Sequence, residues 1–307
     1  MKKIIAIAAA MFAAVCWLGA TEPEAPKNDI RYETKSFNVR NFNSLELSSV
    51  YNATLSRSSQ CSLKITAPDD IIEYVVVRVS DGTLELSLGS IPNKIQRKYN
   101  NGGYDLKAEI TMPELCGLEM TGASKISCNS SFDIGNKEFE LDLSGATKVN
   151  GLNITARSIE GDISGAPYVD LKGKFGSAEM DVSGAPTVDF DFNAGELNMD
   201  VSGAANLEVK GTFENIFVEA SGATKINLSG ESKALRAEAS GASNLKTSNL
   251  VVETAEVSTS GTANCSVNAT KKAILSSTDV SNIKYKNNSG LDVEIKELSN
   301  TSSIRKM

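Results

Sequence analysis

The chain has 307 residues, 41% of them hydrophobic, enough to bury a large core in one long domain or two ordinary ones. Its net charge of −7 and pI near 5.0 exclude the basic footprint that nucleic-acid phosphates require. Histidine is absent, which excludes Ser-His-Asp and Cys-His catalysis and histidine-built zinc or iron sites.

Residues 1–20 read as an export signal. Lys2 and Lys3 form a positive start, Ile4 to Leu18 an apolar stretch, and Gly19 and Ala20 a small-residue end. Cleavage after Ala20 is one outcome; lipidation at Cys16, preceded by Ala13-Ala14-Val15, is the other. The stretch is short for a membrane span, and no later apolar run reaches transmembrane length. Residues 21–30 follow as a linker.

Between 31 and 118 the chain shows strand-like runs at Phe42 to Leu55, Ser62 to Ala67, Val75 to Leu88 and Ala108 to Met112. Asp81-Gly82 marks a turn, Pro68-Asp69-Asp70 a cap for one helical turn, and 92–103 a long loop. These are expected to be irregular early rungs of the architecture that follows.

Residues 119–285 carry a repeat. Ser/Thr-Gly-Ala/Thr occurs eight times, with glycines at 122, 145, 165, 184, 203, 222, 241 and 261, spaced 19 to 20 residues after a first step of 23. A unit that short cannot bury a core alone, so successive copies must stack. Two residues before each glycine stand Met120, Leu143, Ile163, Val182, Val201, Ala220, Ala239 and Thr259; four after stand Ile126, Val149, Val169, Val188, Leu207, Ile226, Leu245 and Cys265. This period-two alternation predicts short strands on either side of a Gly-Ala corner, with a third strand in pieces such as Ser177 to Met180 and Glu196 to Met199. Stacked at strand spacing, the rungs make an all-β, right-handed parallel β-helix. Leucine-rich repeats lack a match to this frame, and helical repeats conflict with the alternation. Cys128 and Cys265 fall on inward columns as small apolar filler, and the four cysteines after the signal show no disulfide or zinc spacing. Ala273 to Tyr285 aligns as a degenerate rung with Asp279 in the glycine place; residues 286–307 supply a closing strand and tail.

The opening Phe42-Asn43-Ser44-Leu45-Glu46-Leu47, the turn Asp81-Gly82-Thr83-Leu84, the strand end Ile110-Thr111-Met112-Pro113 and the serial Ser-Gly-Ala rungs together resemble the GIN-domain family of exported bacterial proteins. That family is labelled as an auto-transporter adhesin head domain. The resemblance covers roughly residues 35 to 285. It implies a right-handed β-helix, a cell-envelope location and Bacteroidetes relatives, and it supplies no catalytic residues.

Two outward columns are candidates for chemistry. Three residues before each glycine stand Glu119, Asp142, Asp162, Asp181, Asp200, Glu219 and Glu238, which stacking brings to about 5 Å from one another. Neighbouring charges then repel by up to about 1 kcal/mol in water and more near a protein surface, so the column requires relief. Calcium bridging adjacent carboxylates is one form of relief; nearby Lys125, Lys148 and Lys225 on a solvated ladder are the other. The Ser/Thr residues directly before each glycine form a second ladder, whose hydroxyls are expected to bond along the stack or to the turn backbone, or else to present a flat face to an ordered polymer or ice. The expected function is a non-enzymatic envelope or surface protein that binds a glycan or extracellular protein, adhesin-like, by multivalent contact along a rigid face. A carbohydrate-active β-helix enzyme and a self-assembling envelope scaffold are the alternatives.

Overall fold

The computed structural model describes residues 30–99 and 103–307. The export segment, with the Cys16 and Ala20 alternatives, and the linker up to residue 29 lie outside the described residues. The first elements are β1 (Tyr32–Phe37), β2 (Ser44–Leu47), β3 (Tyr51–Arg57), β4 (Ser62–Pro68), β5 (Val75–Ser80), β6 (Thr83–Leu88), α1 (Asn93–Lys98), β7 (Leu106–Met112), β8 (Gly117–Met120), β9 (Lys125–Cys128), β10 (Ser131–Asp133) and β11 (Glu138–Leu143). Six long strands follow: β12 (Lys148–Ile163), β13 (Tyr168–Val182), β14 (Thr187–Val201), β15 (Asn206–Ala220), β16 (Lys225–Ala239) and β17 (Asn244–Thr259). The chain ends with β18 (Asn264–Val267), β19 (Ala269–Ser277), β20 (Asn282–Tyr285), β21 (Asp292–Leu298) and β22 (Ser303–Lys306).

From β8 onward every pairing is parallel and joins a residue to its counterpart one rung away, as in Ile163 to Val182 to Val201 to Ala220 to Ala239. The result is a β-solenoid of about ten turns. Each of the six long strands runs from one corner to the next, so the pieces Ser177 to Met180 and Glu196 to Met199 are the second halves of β13 and β14 and not separate strands. Along β13 the inward alternation slips by one residue at Gly176-Ser177, which lets both halves turn their apolar side inward.

The predicted inward columns are all buried, including Cys128 and Cys265. Phe192 packs against Phe175, Phe190 and Phe213 with ring centroids 5.2, 5.4 and 6.0 Å apart. A further column, two residues after the corner glycine, is also buried, and sequence reasoning passed over it. It holds Ser124, Thr147, Pro167, Pro186, Ala205, Thr224, Ser243, Ala263 and Ser281, all small or cyclic residues. The hydroxyls of Ser124, Thr147, Thr224 and Ser243 have no hydrogen-bond partner there, whereas Ser281 bonds to Thr259 and Ser277.

The corner explains the glycine. Gly184 has φ of +82°, and a Cβ on it would lie 2.3 Å from the carbonyl oxygen of Gly165. That oxygen accepts a hydrogen bond from Ala185 N–H at 2.7 Å, so consecutive corners are tied backbone to backbone. The corner column extends past the sequence repeat at both ends. Ser49, at φ of +96°, receives Ala123 N–H as a glycine would, and Asp279, at φ of +56°, occupies the predicted glycine place.

Three expectations change at the ends. Residues 31–118 contain true rungs, since β2 and β3 pair in parallel with β8 and β9, but β1, β4 and β5 pair antiparallel with β4, β7 and β6 respectively. The Asp81-Gly82 turn, both residues at positive φ, closes the β5–β6 hairpin and so sets that antiparallel pair. Within 92–103, expected to be a loop, Asn93–Lys98 is helical: Pro92 starts it, and Lys98 reaches Asp70 at 2.8 Å. The single turn expected after Pro68-Asp69-Asp70 forms as a 3-10 turn at Ile72–Tyr74 with extended backbone from Val75, but Ile71 stands at its N-cap without a side-chain bond, because the Asp70 carboxylate is taken by Lys98 and Tyr99. In 286–307 two strands form where a closing strand and tail were expected; β21 and β22 add in parallel to β19 and β20 as one more turn of the coil, leaving the inward-column residues Ile295 and Leu298 about half exposed.

Gly184→Ala is expected to lose more than about 2 kcal/mol in chemical denaturation, because positive φ and the backbone clash act together. Gly135→Ala, at φ of +62° with nothing within 4 Å of the new Cβ, should cost only about 1 kcal/mol. Thr147→Val and Thr224→Val keep the shape and remove an unpartnered hydroxyl; each is expected to raise stability by up to about 1 kcal/mol in the same measurement.

Candidate functional site

The in-register stack assembles the predicted acidic residues into one column. Strand pairing places Asp142, Asp162, Asp181, Asp200, Glu219 and Glu238 in line, with Glu119 before them. It also extends the ladder beyond the residues read from the sequence: Glu46 stacks on Glu119, and Glu85 on Glu46, giving nine consecutive carboxylates. The signal was present in Leu45-Glu46-Leu47 and Leu84-Glu85-Leu86, where a glutamate stands between two buried leucines as Asp142 does between Leu141 and Leu143. Toward the C-terminal end the column continues as Ser258, Ser276 and Glu297.

A second acidic column lies beside the first on the same strands, where Glu140, Glu160 and Glu179 stack before the series changes to Asn198, Phe217 and Arg236. Two shallow hollows open on this face. One of about 430 Å³ includes Asp200, Glu219 and Glu238, and one of about 360 Å³ includes Glu179, Asp181 and Asp200.

Among the described residues Lys125, Lys148 and Lys225, one of the two expected forms of relief, make no ion pair with the ladder. Lys125 and Lys148 stack with each other on the far side of the corner, in the column that later holds Lys225, and the Lys148 ammonium lies 4.6 Å from the Tyr168 ring centroid. At the ladder ends Glu85 meets Arg78 at 3.8 Å and Glu238 meets Arg236 at 3.1 Å. Among the described residues, the seven carboxylates between them, Glu46 to Glu219 in stacking order, have no ion pair. The physical reason is the pleat: a residue three places before the corner and one three places after it belong to opposite arms of the turn, so stacking brings like to like.

The charge is felt within the ladder. Partial burial, followed by the charges of Glu46 and Asp142, pushes the Glu119 carboxyl above the usual range. Burial and then Asp162 do the same to Asp142. Glu160 in the neighbouring column is raised chiefly by Glu138, with burial, Glu179 and Glu140 adding. A column offers each site two carboxylates along one line, and among the described residues no group of three or more acidic or cysteine side chains is gathered to hold a metal ion.

In the serine column the side chains mostly do not make the stacking bonds expected of them as one alternative. Along it the backbone makes the stacking bonds, as in Ser183 N–H to the Ile163 carbonyl at 2.8 Å and Ser202 N–H to that of Val182 at 2.8 Å. Among the described residues only the Ser240 hydroxyl of this column bonds within the chain, to the Ala220 carbonyl at 3.4 Å. The other hydroxyls face outward beside the acidic ladder, so the two columns form one polar strip. Cys265, fully inside, has its thiol pushed up to about 12 by burial, and burial raises Cys128 as well, which makes both inert packing groups.

A parallel β-solenoid with a regular polar strip along one side defines a class of coiled repeat proteins. Within that class, the family model "Putative auto-transporter adhesin, head GIN domain" matches residues 41–212 and 187–289, and the chain belongs to this family. Among solved structures, one named a putative adhesin from Parabacteroides distasonis ATCC 8503 is 14% identical, with 91% of this chain and 98% of that chain covered at a TM-score of 0.55. A putative adhesin from Parabacteroides merdae ATCC 43184 is 15% identical, covers 90% and 96%, and scores 0.48. A structure named a putative lipid binding protein, also from Parabacteroides distasonis ATCC 8503, is 20% identical, covers 90% and 96%, and scores 0.48. The first of these supports the fold. No curated protein matches the chain.

Because folding raises the pKa of Glu119 and Asp142, their contribution to stability is full below the ordinary values of 4.5 and 3.8 and is lost as pH rises through the raised ones. Asp142→Asn is therefore expected to raise the melting temperature at pH 7, with a smaller gain at pH 4, read by calorimetry.

Proposed function

We propose that this chain is a non-enzymatic, exported cell-envelope or surface protein that binds an extracellular partner through its acidic side face, in the manner of an adhesin. The carrying observation is the run of seven stacked carboxylates without an ion pair between the Arg78 and Arg236 contacts. Folding stacks negative charge there at a Coulombic cost, which is the second cause, after burial, of the raised Glu119 and Asp142 carboxyls, and a partner with basic groups at matching spacing offsets it. Strand stacking sets that spacing at about 4.8 Å per rung, so affinity accrues over many weak contacts without a deep pocket. The single-file geometry favours basic side chains of a protein over calcium as the source of positive charge, because calcium takes six to eight oxygen ligands. The family's adhesin description agrees with a binding role.

An array of extracellular matrix proteins and glycans, probed with the mature chain, tests the reading. Binding to basic proteins is expected to weaken at least tenfold between about 0.05 and 0.5 M salt, as screening of charge requires. Asp162→Lys combined with Asp200→Lys should weaken it by a similar factor. Binding that ignores both salt and charge reversal would overturn the proposal, and calorimetric heat with calcium, accompanied by a rise in melting temperature, would transfer the ladder's role to calcium.

A further inference from the structure

A hollow at the N-terminal shoulder has a chemistry opposite to that of the acidic face. It measures about 570 Å³ and forms where the segment from Phe37 to Phe42, leaving β1, passes the Ser59 to Ser62 approach to β4. No carboxylate lines it, whereas the two hollows on the ladder are each lined by four. On a chain of net charge −7 this is a local reversal of character.

The groups around the hollow are complementary to one kind of small molecule. Arg40 brings a guanidinium whose Nε donates to the Asn38 side-chain oxygen at 3.2 Å. That bond uses one donor of the fork and leaves the terminal nitrogens, which make no ion pair among the described residues. Asn38 and Gln60 add amides, and the half-buried Phe37 adds an apolar surface. The segment is held in a tight reversal: Val39 N–H donates to the Phe37 carbonyl at 3.1 Å, and Asn41 takes φ of +58°. Backbone held this way sets the direction in which the exposed Asn38 and Arg40 side chains leave the chain.

A guanidinium fork pairs with a carboxylate through two parallel hydrogen bonds, amides serve hydroxyl groups as both donor and acceptor, and an apolar wall suits the C–H face of a pyranose ring. The hollow also falls in the usual size range for small-ligand sites, about 300 to 1,000 Å³. We propose that this hollow binds a carboxylated sugar unit of a glycan, its carboxylate on Arg40, its hydroxyls on Asn38 and Gln60, and its apolar face against Phe37. The site is separate from the acidic strip, so the chain carries one surface for basic partners and one pocket for an acidic sugar.

Cys61 supplies the readout, because its free, half-buried thiol lines the same hollow. A Cys116→Ser background removes the other half-buried thiol, leaving Cys128 and Cys265 buried. The mature chain is titrated by calorimetry with oligosaccharides ending in glucuronate, galacturonate or sialate, with neutral glucose and galactose oligomers, and with inorganic phosphate. In parallel, alkylation of Cys61 by a maleimide is timed with each. At least one acidic sugar is expected to bind and to slow alkylation severalfold, with neutral sugars and phosphate binding at least tenfold more weakly. Arg40→Ala should weaken acidic-sugar binding at least tenfold, Arg40→Lys should restore part of it, and Lys172→Ala, an exposed cation of β13, should leave it unchanged. Circular dichroism of each variant confirms that the fold persists, as replacement of an exposed arginine allows. The proposal is overturned if no acidic sugar binds or protects Cys61, if neutral sugars or phosphate do so equally, or if folded Arg40→Ala keeps its affinity.

Discussion

The structure depends on how closely one corner approaches the next. The Gly165 carbonyl receives Ala185 N–H, the Gly184 carbonyl receives Ala204 N–H, and the same bond repeats down the column at 2.7 to 2.9 Å. A side chain at the corner would occupy the volume of the preceding rung's carbonyl, so the contact exists only where a Cβ is missing or where a residue tolerates positive φ with room above it. Because the corners stack without offset, the arms next to them stack in register, and an extra residue is absorbed as a bulge farther along the arm, as between Val149 and Leu152 or Asn227 and Ser229. The columns of the solenoid, apolar or charged, follow from that single alignment.

Register without offset is indifferent to whether its consequences are favourable. Leucine over valine over phenylalanine produces a continuous core, within which Phe175, Phe190 and Phe213 pack around Phe192. The same rule sets aspartate on aspartate outside, where the charge has nowhere to go along the column. A fold made of repeats therefore generates a line of like charge as readily as a core. Seven carboxylates in sequence, unpaired among the described residues, are tolerated because strand hydrogen bonds and core burial exceed their mutual repulsion; the Glu119 and Asp142 carboxyls are raised by burial first and by their charged neighbours second. The unpartnered hydroxyls of Thr147 and Thr224 are tolerated in the same way within.

Regularity ends where the antiparallel strands begin. β1, β4 and β5 pair out of the solenoid pattern at the N-terminal end, and the turn between Phe37 and Phe42 that makes the arginine-lined hollow belongs to this irregular part. The two candidate surfaces thus have different origins. The acidic strip is a property of the repeat, while the hollow is a property of the departure from it.

Much of the fold was legible because the repeat is written in residue types with narrow physical uses: glycine at the corner, alternating aliphatic residues on the arms, acidic residues between them. Asp279 could be placed at a corner from its spacing alone. Glu46 and Glu85 escaped because their rungs lack the Ser-Gly-Ala signature, although each carries the same Leu-Glu-Leu alternation. The helix at Asn93–Lys98 escaped because its short polar sequence has no apolar period to reveal it, and contact with Asp70 fixes it from elsewhere in the chain. By itself the sequence determined the parallel stack, the inward columns and the existence of an acidic ladder, since all three follow from local periodicity. Only the tertiary structure decided that lysines on the opposite arm leave the ladder unpaired, that serine hydroxyls are released by backbone bonds, and that Arg40 shares a hollow with Gln60 and Cys61. Those facts depend on which distant segments meet, and no spacing along one chain encodes which distant segments will meet.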